Sequence, residues 1–300
     1  MNAIAQIEAD ATPLICGAGK FALSIDVEDY FQVWAFSNVI KRESWDRIPL
    51  RVGDLTRACL DLLDRHGAKA TFFTLGWVAE RDPKLVREIV SRGHELASHG
   101  YDHTKVNQQT CSAFREDITR SKAILEDISG VFVKGYRAPG FSIDASTPWA
   151  HETLIEVGHH YSSSSHPIAH DHYGDAAAPQ GPYLPVDGVE FLEAPVATAT
   201  IFGRRVSCAG GGWFRAAPLP VSKALLRRAA KAGPGPVIFY FHPWEIDAGQ
   251  PRIRNASMKS KFRHYLNVSN MEEKLDNLLS TFSWGCIDDA LDAPFERRVS

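Results

Sequence analysis

The chain has 300 residues, a formal net charge of −3, 44% hydrophobic residues and 23% charged residues. This length can bury a full core, as one large α/β domain or two small ones, and the composition is ordinary for a soluble globular protein. With this net charge the protein has no overall positive electrostatic potential that would favour binding of nucleic acid. The absence of a run of about 18 apolar residues argues against a membrane span.

The amino terminus and the cysteines bear on the compartment of the protein. Residues 1–19 lack a basic segment followed by an apolar one, so we expect a flexible lead-in, no secretory signal and a cytoplasmic location. The five cysteines are odd in number and contain no CxxC pair, which argues against a disulfide framework or a thiolate zinc site. Unpaired thiols in a reducing compartment are therefore expected.

Strands and helices are predicted to alternate through the first half of the chain. Apolar, β-branched and aromatic runs predict buried strands over residues 21–26, 70–75, 94–98 and 131–136. Amphipathic stripes predict helices between these strands, over residues 54–67, 82–93 and 112–129. Asp54 and Asp82 are the expected N-caps, and Pro83 suits the first turn of its helix.

The second half of the chain is less regular. A helix is predicted from Ser146 to Gly158, followed by a polar loop over residues 163–174. Residues 176–220 are rich in Pro and Gly, which predicts an insertion. Short strands are predicted over residues 159–162, 189–194 and 236–241. The remaining predicted elements are a basic helix over 222–232, a basic loop over 252–263 and a last helix with a capping box of Ser269 and Glu272.

Side chains with catalytic chemistry follow four of the predicted strands. In chain order they are Asp26 with Glu28 and Asp29, His99 with His103, Arg137, and His242. Alternating strands and helices predict a parallel sheet with outer helices, and in such folds function lies at the carboxyl ends of the strands. Polar residues that served only the fold would be scattered over both strand ends, so we expect these side chains to share one site.

Each of these residues also has an ordinary structural explanation. If the backbone is helical there, His99 and His103 share one face, where two neutral imidazoles could begin a metal site, but such a pair is more often solvated. Asp26 could cap a turn, and Arg137 could pair with a surface carboxylate. His242 could be a satisfied core histidine at the end of a very apolar strand. The shared position at strand ends favours function.

The same stretches resemble the motifs of polysaccharide deacetylases of the NodB-homology type (carbohydrate esterase family 4). They are Ser24–Asp29 for the first motif, His99–His103 for the second, Tyr136–Gly140 for the third and Tyr240–His242 for the fifth. The stretches 211–215, 239–246 and 261–265 resemble a narrower, exosortase-associated (PEP-CTERM) exopolysaccharide group with a DUF3473-like extension. The resemblance covers about residues 20–285 and implies a deformed (β/α)-barrel with parallel strands and outer helices.

The resemblance also implies a division of the chain into five parts. Residues 20–175 would form the deacetylase core, and residues 221–247 would complete the barrel with the acid-histidine motif. The other parts would be the flexible segment 1–19, the Pro/Gly-rich insertion 176–220 and a family-specific extension over 248–300.

The activity implied by the resemblance is a metal-dependent N-deacetylase, a hydrolase of the amide bond in acetamido sugars of an exopolysaccharide or its lipid-linked precursor. Asp26 would be the general base, Arg137 would hold it ionised, and His242 would be the general acid. The metal ligands would be His99, His103 and either Glu28 or Asp29, for zinc or alternatively cobalt or nickel. Residues expected to line the sugar pocket are Tyr136, Pro139 and Trp244.

Three departures from the family pattern leave alternatives open. The first motif is stretched to Asp-Val-Glu-Asp, which motivates a metal-independent amidohydrolase acting on a small cyclic amide or ureide. Gly100 stands where a Ser or Thr usually follows the first metal histidine. The fourth motif, an Asp that helps charge the acid histidine, is not clear in residues 163–174, which motivates a non-catalytic glycan-binding protein.

Two further groups of polar residues could form binding sites. His159, His160, His166, His170 and His172 could form a second metal site, but a substrate-cleft loop is favoured because flexible loops rarely preset ligand geometry. The basic stretch over residues 252–263 is expected to be a solvated loop. The more specific hypothesis is that it contacts an anionic glycan or a lipid phosphate. The predicted partner is an N-acetylated polysaccharide or oligosaccharide and no nucleic acid, with the oligomeric state left open.

Overall fold

The computed structural model describes residues 21–169, 174–233 and 235–292. The strands in these ranges are β1 Phe21–Val27, β2 Thr71–Thr74, β3 Glu95–Ser98, β4 Gly135–Tyr136, β5 Tyr161–Ser162, β6 Leu192–Glu193, β7 Thr198–Ile201, β8 Arg204–Ser207, β9 Val237–Phe241 and β10 Trp284–Gly285. The helices are α1 Val52–Arg65, α2 Gly76–Arg81, α3 Pro83–Ser91, α4 Cys111–Ser129, α5 Ala150–Val157, α6 Gly211–Ala216, α7 Leu219–Ala232, α8 Met258–Tyr265, α9 Met271–Leu279 and α10 Ile287–Leu291.

One curled, parallel sheet organises the fold. Its neighbouring strands run β6–β5–β4–β3–β2–β1–β9, and β10 also pairs with the first two residues of β1. The chain after β6 approaches β9 through a backbone hydrogen bond of 2.9 Å from Ala197 N–H to the Ile238 carbonyl. A separate antiparallel hairpin is formed by β7 and β8. The predicted α/β class, a deformed (β/α)-barrel with parallel strands and outer helices, is confirmed.

The central strands are buried because both of their faces are covered. β9 has the sequence VIFYF and is buried along its whole length, and β1 is buried from its second residue. Such apolar runs are typical of parallel strands that have helices on one side and a filled interior on the other. Ser24 and Asp26 are the polar residues among the buried side chains of β1, and both take part in the candidate site described below.

The helix ends show which of the N-caps predicted from the sequence are present in the structure. Asp82 caps α3 by accepting a hydrogen bond of 3.0 Å from Leu85 N–H, as predicted. The predicted caps at Asp54 and at Ser269 with Glu272 are wrong. The backbone N–H groups that open α1 are instead bound by Asp29, and no side chain caps α9. The cap of α1 is supplied from a distant turn, which a local pattern cannot indicate.

Other differences concern short or irregular segments. β4, β5 and β6 are two residues long, shorter than predicted, because each pairs with its neighbour only next to the site. The predicted basic loop over 252–263 contains the start of α8, and the turn at Gly210 leads directly into α6. The predicted lead-in over 1–19 and His170 and His172 lie outside the described residues. In the described ranges, no helix is long and apolar enough to cross a bilayer.

Candidate metal centre and active site

Two histidines meet at the carboxyl end of β3. His99 follows the strand, and its N–H donates to the Thr74 carbonyl of β2 at 3.1 Å. The chain then turns back because Gly100 and His103 adopt left-handed conformations, with φ of 74° and 61°. The two imidazole centroids are 5.2 Å apart. The backbone here is not helical, but the turn brings both rings to one place.

Glu28 completes a group that could hold a metal ion. One ligating atom each of Glu28, His99 and His103 lies within 4.8 Å of the others. Glu28 Oε2 is 2.7 Å from His103 Nε2, yet the two atoms do not form a hydrogen bond, and Oε2 has no other hydrogen-bond partner among the described residues. A buried carboxylate oxygen without a donor is costly unless a cation satisfies it. The donor set of two imidazoles and one carboxylate therefore fits a divalent metal.

Asp29, the alternative carboxylate ligand, is engaged elsewhere. Its Oδ2 accepts hydrogen bonds from the backbone N–H groups of Arg51 and Val52 at 2.7 and 2.9 Å, and its Oδ1 accepts one from Tyr30 N–H. Burial nevertheless raises the pKa of Asp29, although these donors oppose the rise. The side chain holds the start of α1, so the structure assigns the carboxylate of the cluster to Glu28.

The imidazole of His99 is oriented for ligation. Its Nδ1 lies 2.8 Å from the carbonyl oxygen of Arg137, a geometry in which Nδ1–H donates and Nε2 keeps its lone pair. Burial lowers the pKa of His99 to about 4, and the neighbouring His103 adds to this effect. His99 is therefore neutral at physiological pH, as a metal ligand must be.

Arg137 fixes the position of Asp26. Its guanidinium is fully buried and donates from Nη1 to Asp26 Oδ1 at 2.7 Å and to Ser24 Oγ at 2.8 Å. The remaining donors of the guanidinium, Nε and Nη2, bind the carbonyl and the hydroxyl oxygen of Ser163, so the guanidinium is held in one orientation. The free oxygen of Asp26, Oδ2, faces His242 Nε2 at 3.9 Å. The predicted pairing of Arg137 with Asp26 is present.

His242 is held by two residues whose role the sequence did not reveal. Its Nδ1 lies 2.8 Å from Glu245 Oε1, and Glu245 Oε2 accepts a bond of 2.7 Å from Arg215 Nε. Burial opposes protonation, but the hydrogen bond with Glu245 and the charge of Glu28 raise the pKa of His242 to about 9. The described part of residues 163–174, where the family's fourth motif was sought, contains no carboxylate. Asp171 lies outside the described residues, and among those described Glu245 is the carboxylate bonded to His242 Nδ1.

The three residues expected to line a sugar pocket are buried. Trp244 stacks between His242 and His264, with ring centroids 5.2 and 4.1 Å away, and its Nε1–H donates to Glu28 Oε1 at 3.3 Å. Tyr136 is fully buried, and Pro139 is also buried. Little of their surface is accessible, and the lining of a sugar pocket by these residues stays a prediction. Trp244 contacts both Glu28 and His242 and so helps to fix their positions.

The other histidines do not form a second site in the described part of the chain. His159 is buried, and His166 is buried with its Nε2 3.0 Å from Ser207 Oγ. Among the described residues, the cluster at Glu28 is the one group of three ligating side chains close enough for a metal. The buried positions of His159 and His166 also give no support to a substrate-cleft loop built from them.

Gly100→Ala is expected to lower the affinity for zinc by about 10- to 100-fold, the range found when groups that position metal ligands are disturbed. A Cβ at this position would lie 2.8 Å from Asp117 Oδ2, on a backbone with a positive φ that alanine rarely adopts. The Asp117 carboxylate accepts the N–H of Tyr101, so the whole loop from His99 to His103, which we call the ligand loop, would shift. Competition with a chelator measures the affinity.

Gly67→Ala is the matched control for this prediction. Gly67 also has a positive φ, but a Cβ there would meet nothing within 4 Å, and the residue follows α1 away from the cluster. We expect Gly67→Ala to leave the affinity for zinc unchanged. An unaltered affinity in folded Gly100→Ala would show that the loop does not set the ligand geometry.

Comparison with known proteins gives two family matches. Residues 44–158 match the model described as polysaccharide deacetylase, and residues 163–292 match a domain of unknown function, DUF3473. A peptidoglycan-N-acetylglucosamine deacetylase of Bacillus cereus is 34% identical over 100 residues, 33% of this chain and 36% of that protein. A chitooligosaccharide deacetylase of Azorhizobium caulinodans is 33% identical over 86 residues, 28% of this chain and 41% of that protein. The chain thus spans less than half the length of these curated relatives.

Solved structures share the fold. A candidate polysaccharide deacetylase from Mycobacterium smegmatis aligns with a TM-score of 0.59 and 20% sequence identity, over 92% of this chain and 91% of that one. The crystal structure of a peptidoglycan N-acetylglucosamine deacetylase aligns with a TM-score of 0.51 and 17% identity, over 99% of this chain and 100% of that one. At these identities the likeness concerns the fold alone.

Proposed function

Because residues 44–158 match the polysaccharide deacetylase model and residues 163–292 match DUF3473, we propose that the chain is a metal-dependent hydrolase of N-acetyl groups. The substrate we propose is an acetamido sugar of an exopolysaccharide or of its lipid-linked precursor. The observation that carries the proposal is the cluster of Glu28, His99 and His103 beside Asp26 and His242. The relatives named above, which act on peptidoglycan and chitooligosaccharides, support the same class of amide bond.

The metal would be held by Glu28, His99 and His103, and zinc is the ion that this donor set favours, with cobalt and nickel as alternatives. When bound, a divalent ion would lower the pKa of a water molecule and polarise the amide carbonyl. The fit rests on ligating atoms of Glu28, His99 and His103 that lie within 4.8 Å of one another and on the neutral His99.

The protein residues would supply the proton transfers. Asp26, held by Arg137, would accept a proton from the attacking water through its free Oδ2. His242, whose pKa of about 9 keeps it protonated at neutral pH, would donate a proton to the departing sugar amine. The C–N bond breaks, acetate and the free amine leave, and Glu245 keeps the imidazole of His242 in one orientation.

Metal removal is expected to abolish hydrolysis of N-acetylated oligosaccharides and of the exopolysaccharide, and added zinc or cobalt to restore it. Release of acetate measures the activity, and elemental analysis is expected to find about one metal ion per chain. Glu28→Gln is expected to lose both metal and activity, because an amide replaces the anionic ligand.

Two outcomes would contradict this proposal. Activity that survives thorough chelation, with no stoichiometric metal, would favour a metal-independent amidohydrolase on the same fold. Binding of the glycan without release of acetate, in protein that holds its metal, would favour a glycan-binding protein.

A further inference from the structure

A long segment of the chain is basic and contains no carboxylate. Residues 194–244 include seven Lys and Arg residues and no Asp or Glu, in a protein whose net charge is −3. One of the seven, Arg215, is buried in the site described above. The other six are Arg204, Arg205, Lys223, Arg227, Arg228 and Lys231. A segment of this composition gives one part of the surface a positive potential that the whole chain lacks.

The fold brings the cations of α7 beside the β7–β8 hairpin, on one surface that we call the basic hairpin face: the hairpin and the exposed side of α7. Arg228 Nε donates to the Thr200 carbonyl at 2.6 Å, which joins α7 to β7. A shallow groove between them is lined by Thr200, Ala224, Arg227 and Lys231. In the described ranges, none of the six cations forms a salt bridge with a carboxylate. Arg205 is held by the carbonyls of Ala176 and Ala178, whereas the charges of Arg227 and Lys231 in the groove are available to an external anion.

Phe202 projects from the tip of this hairpin. Its side chain is fully exposed, at 101% of the reference area. Phe202 and Gly203 form the two-residue turn between β7 and β8, and both have positive φ, 49° and 76°. Such turns favour Asn, Asp or Gly, so Phe202 suits neither the turn nor exposure to water. Exposure of one aromatic ring is ordinary by itself, but strain in the turn that carries it makes the ring a candidate for uptake by a binding partner.

We propose that the basic hairpin face docks the protein on an anionic phospholipid bilayer. Phe202 enters the interfacial region between headgroups and acyl chains, and the surrounding cations face the lipid phosphates. A soluble polyanion would satisfy the cations but would leave the protruding ring in water, so the combination favours a bilayer. This docking is independent of the proposed hydrolysis, since no residue of the face belongs to the active site.

Vesicle co-sedimentation of the full chain tests the proposal. Wild-type protein is expected to bind phosphatidylcholine vesicles that contain about a third phosphatidylglycerol, and not phosphatidylcholine alone. Arg227→Gln with Lys231→Gln is expected to weaken the partition by about 25-fold, roughly fivefold for each cation. Phe202→Asn is expected to weaken it by about tenfold, and because Asn suits the turn, the hairpin keeps its fold.

Matched variants on other surfaces separate specific docking from general charge. Lys84→Gln with Arg87→Gln removes the same charge from α3, and Phe262→Asn removes another exposed ring, from α8. Both are expected to bind vesicles like wild type. The proposal is overturned if wild-type protein does not bind anionic vesicles, or if it binds dextran sulfate but no vesicle. It is also overturned if the α3 variant loses vesicle binding as much as the α7 variant does, or if Phe202→Asn binds vesicles like wild type.

Discussion

Asp26→Asn is expected to lower kcat for N-acetyl hydrolysis by about 10³-fold, because an amide cannot accept the proton that the attacking water must lose. The substitution is nearly isosteric, and the amide oxygen it introduces can still accept the bond that Arg137 now donates to Asp26 Oδ1 at 2.7 Å. Asp26 is not among the three ligating groups of the metal cluster, so the metal content should stay at the wild-type level. Acetate release gives kcat, and elemental analysis gives the metal content.

Asp102→Asn provides the comparison for Asp26→Asn. Asp102 lies in the ligand loop but pairs with Arg42 at 3.2 Å, away from the cluster. Its replacement is expected to change kcat by less than about threefold, because surface pairs contribute little. Thermal unfolding checks that Asp26→Asn keeps its fold although Arg137 loses a counter-charge. A folded Asp26→Asn protein with more than a tenth of wild-type kcat would remove Asp26 from the role of base.

The sequence predicted the location of the site because parallel strands deliver their carboxyl ends to one edge of the sheet. Asp26, His99 and His242 could thus be grouped although they are far apart in the chain. The choice between Glu28 and Asp29 could not be settled in this way. It depends on the backbone N–H groups of Arg51 and Val52, which bind Asp29 from more than twenty residues away.

The conformation of the second motif could not be predicted for a different reason. A spacing of four residues suits a helix, but His103 reaches His99 through left-handed residues, a conformation that non-glycine residues adopt rarely. The close packing of Gly100 against Asp117 provides the surroundings that impose this turn. Strain of this kind at a ligand is a property of the folded loop and leaves no periodic signal.

The two family matches meet at one cluster of side chains. His99 and His103 lie in the segment that matches polysaccharide deacetylase, whereas His242, Glu245 and Arg215 lie in the segment that matches DUF3473. α8 adds His264, which stacks on Trp244 at 4.1 Å. The DUF3473 segment therefore completes the site built by the first segment. The predicted division of the chain at residues 220 and 247 separates elements that the site requires together.

Glu245→Gln is expected to lower kcat by about 10²-fold and to move the alkaline limb of the pH–rate profile to lower pH. Burial alone would lower the pKa of His242, and the hydrogen bond with Glu245 is the largest effect that raises it to about 9. The acid must carry its proton, so wild-type activity falls as pH rises through this value. Without the carboxylate the proton leaves at a lower pH, and the fall begins earlier. Steady-state kcat measured across pH tests both effects.

Stability needs a separate control, because Glu245 and Arg215 form a buried ion pair at 2.7 Å. Breaking such a pair leaves one charge unsatisfied and costs about 3–5 kcal/mol. Arg215→Met combined with Glu245→Gln removes both charges and is expected to recover part of this stability while kcat and the alkaline limb stay altered. If kcat recovers together with the melting temperature, Glu245 serves only the fold. If the alkaline limb of folded Glu245→Gln coincides with that of wild type, the carboxylate does not set the protonation of His242.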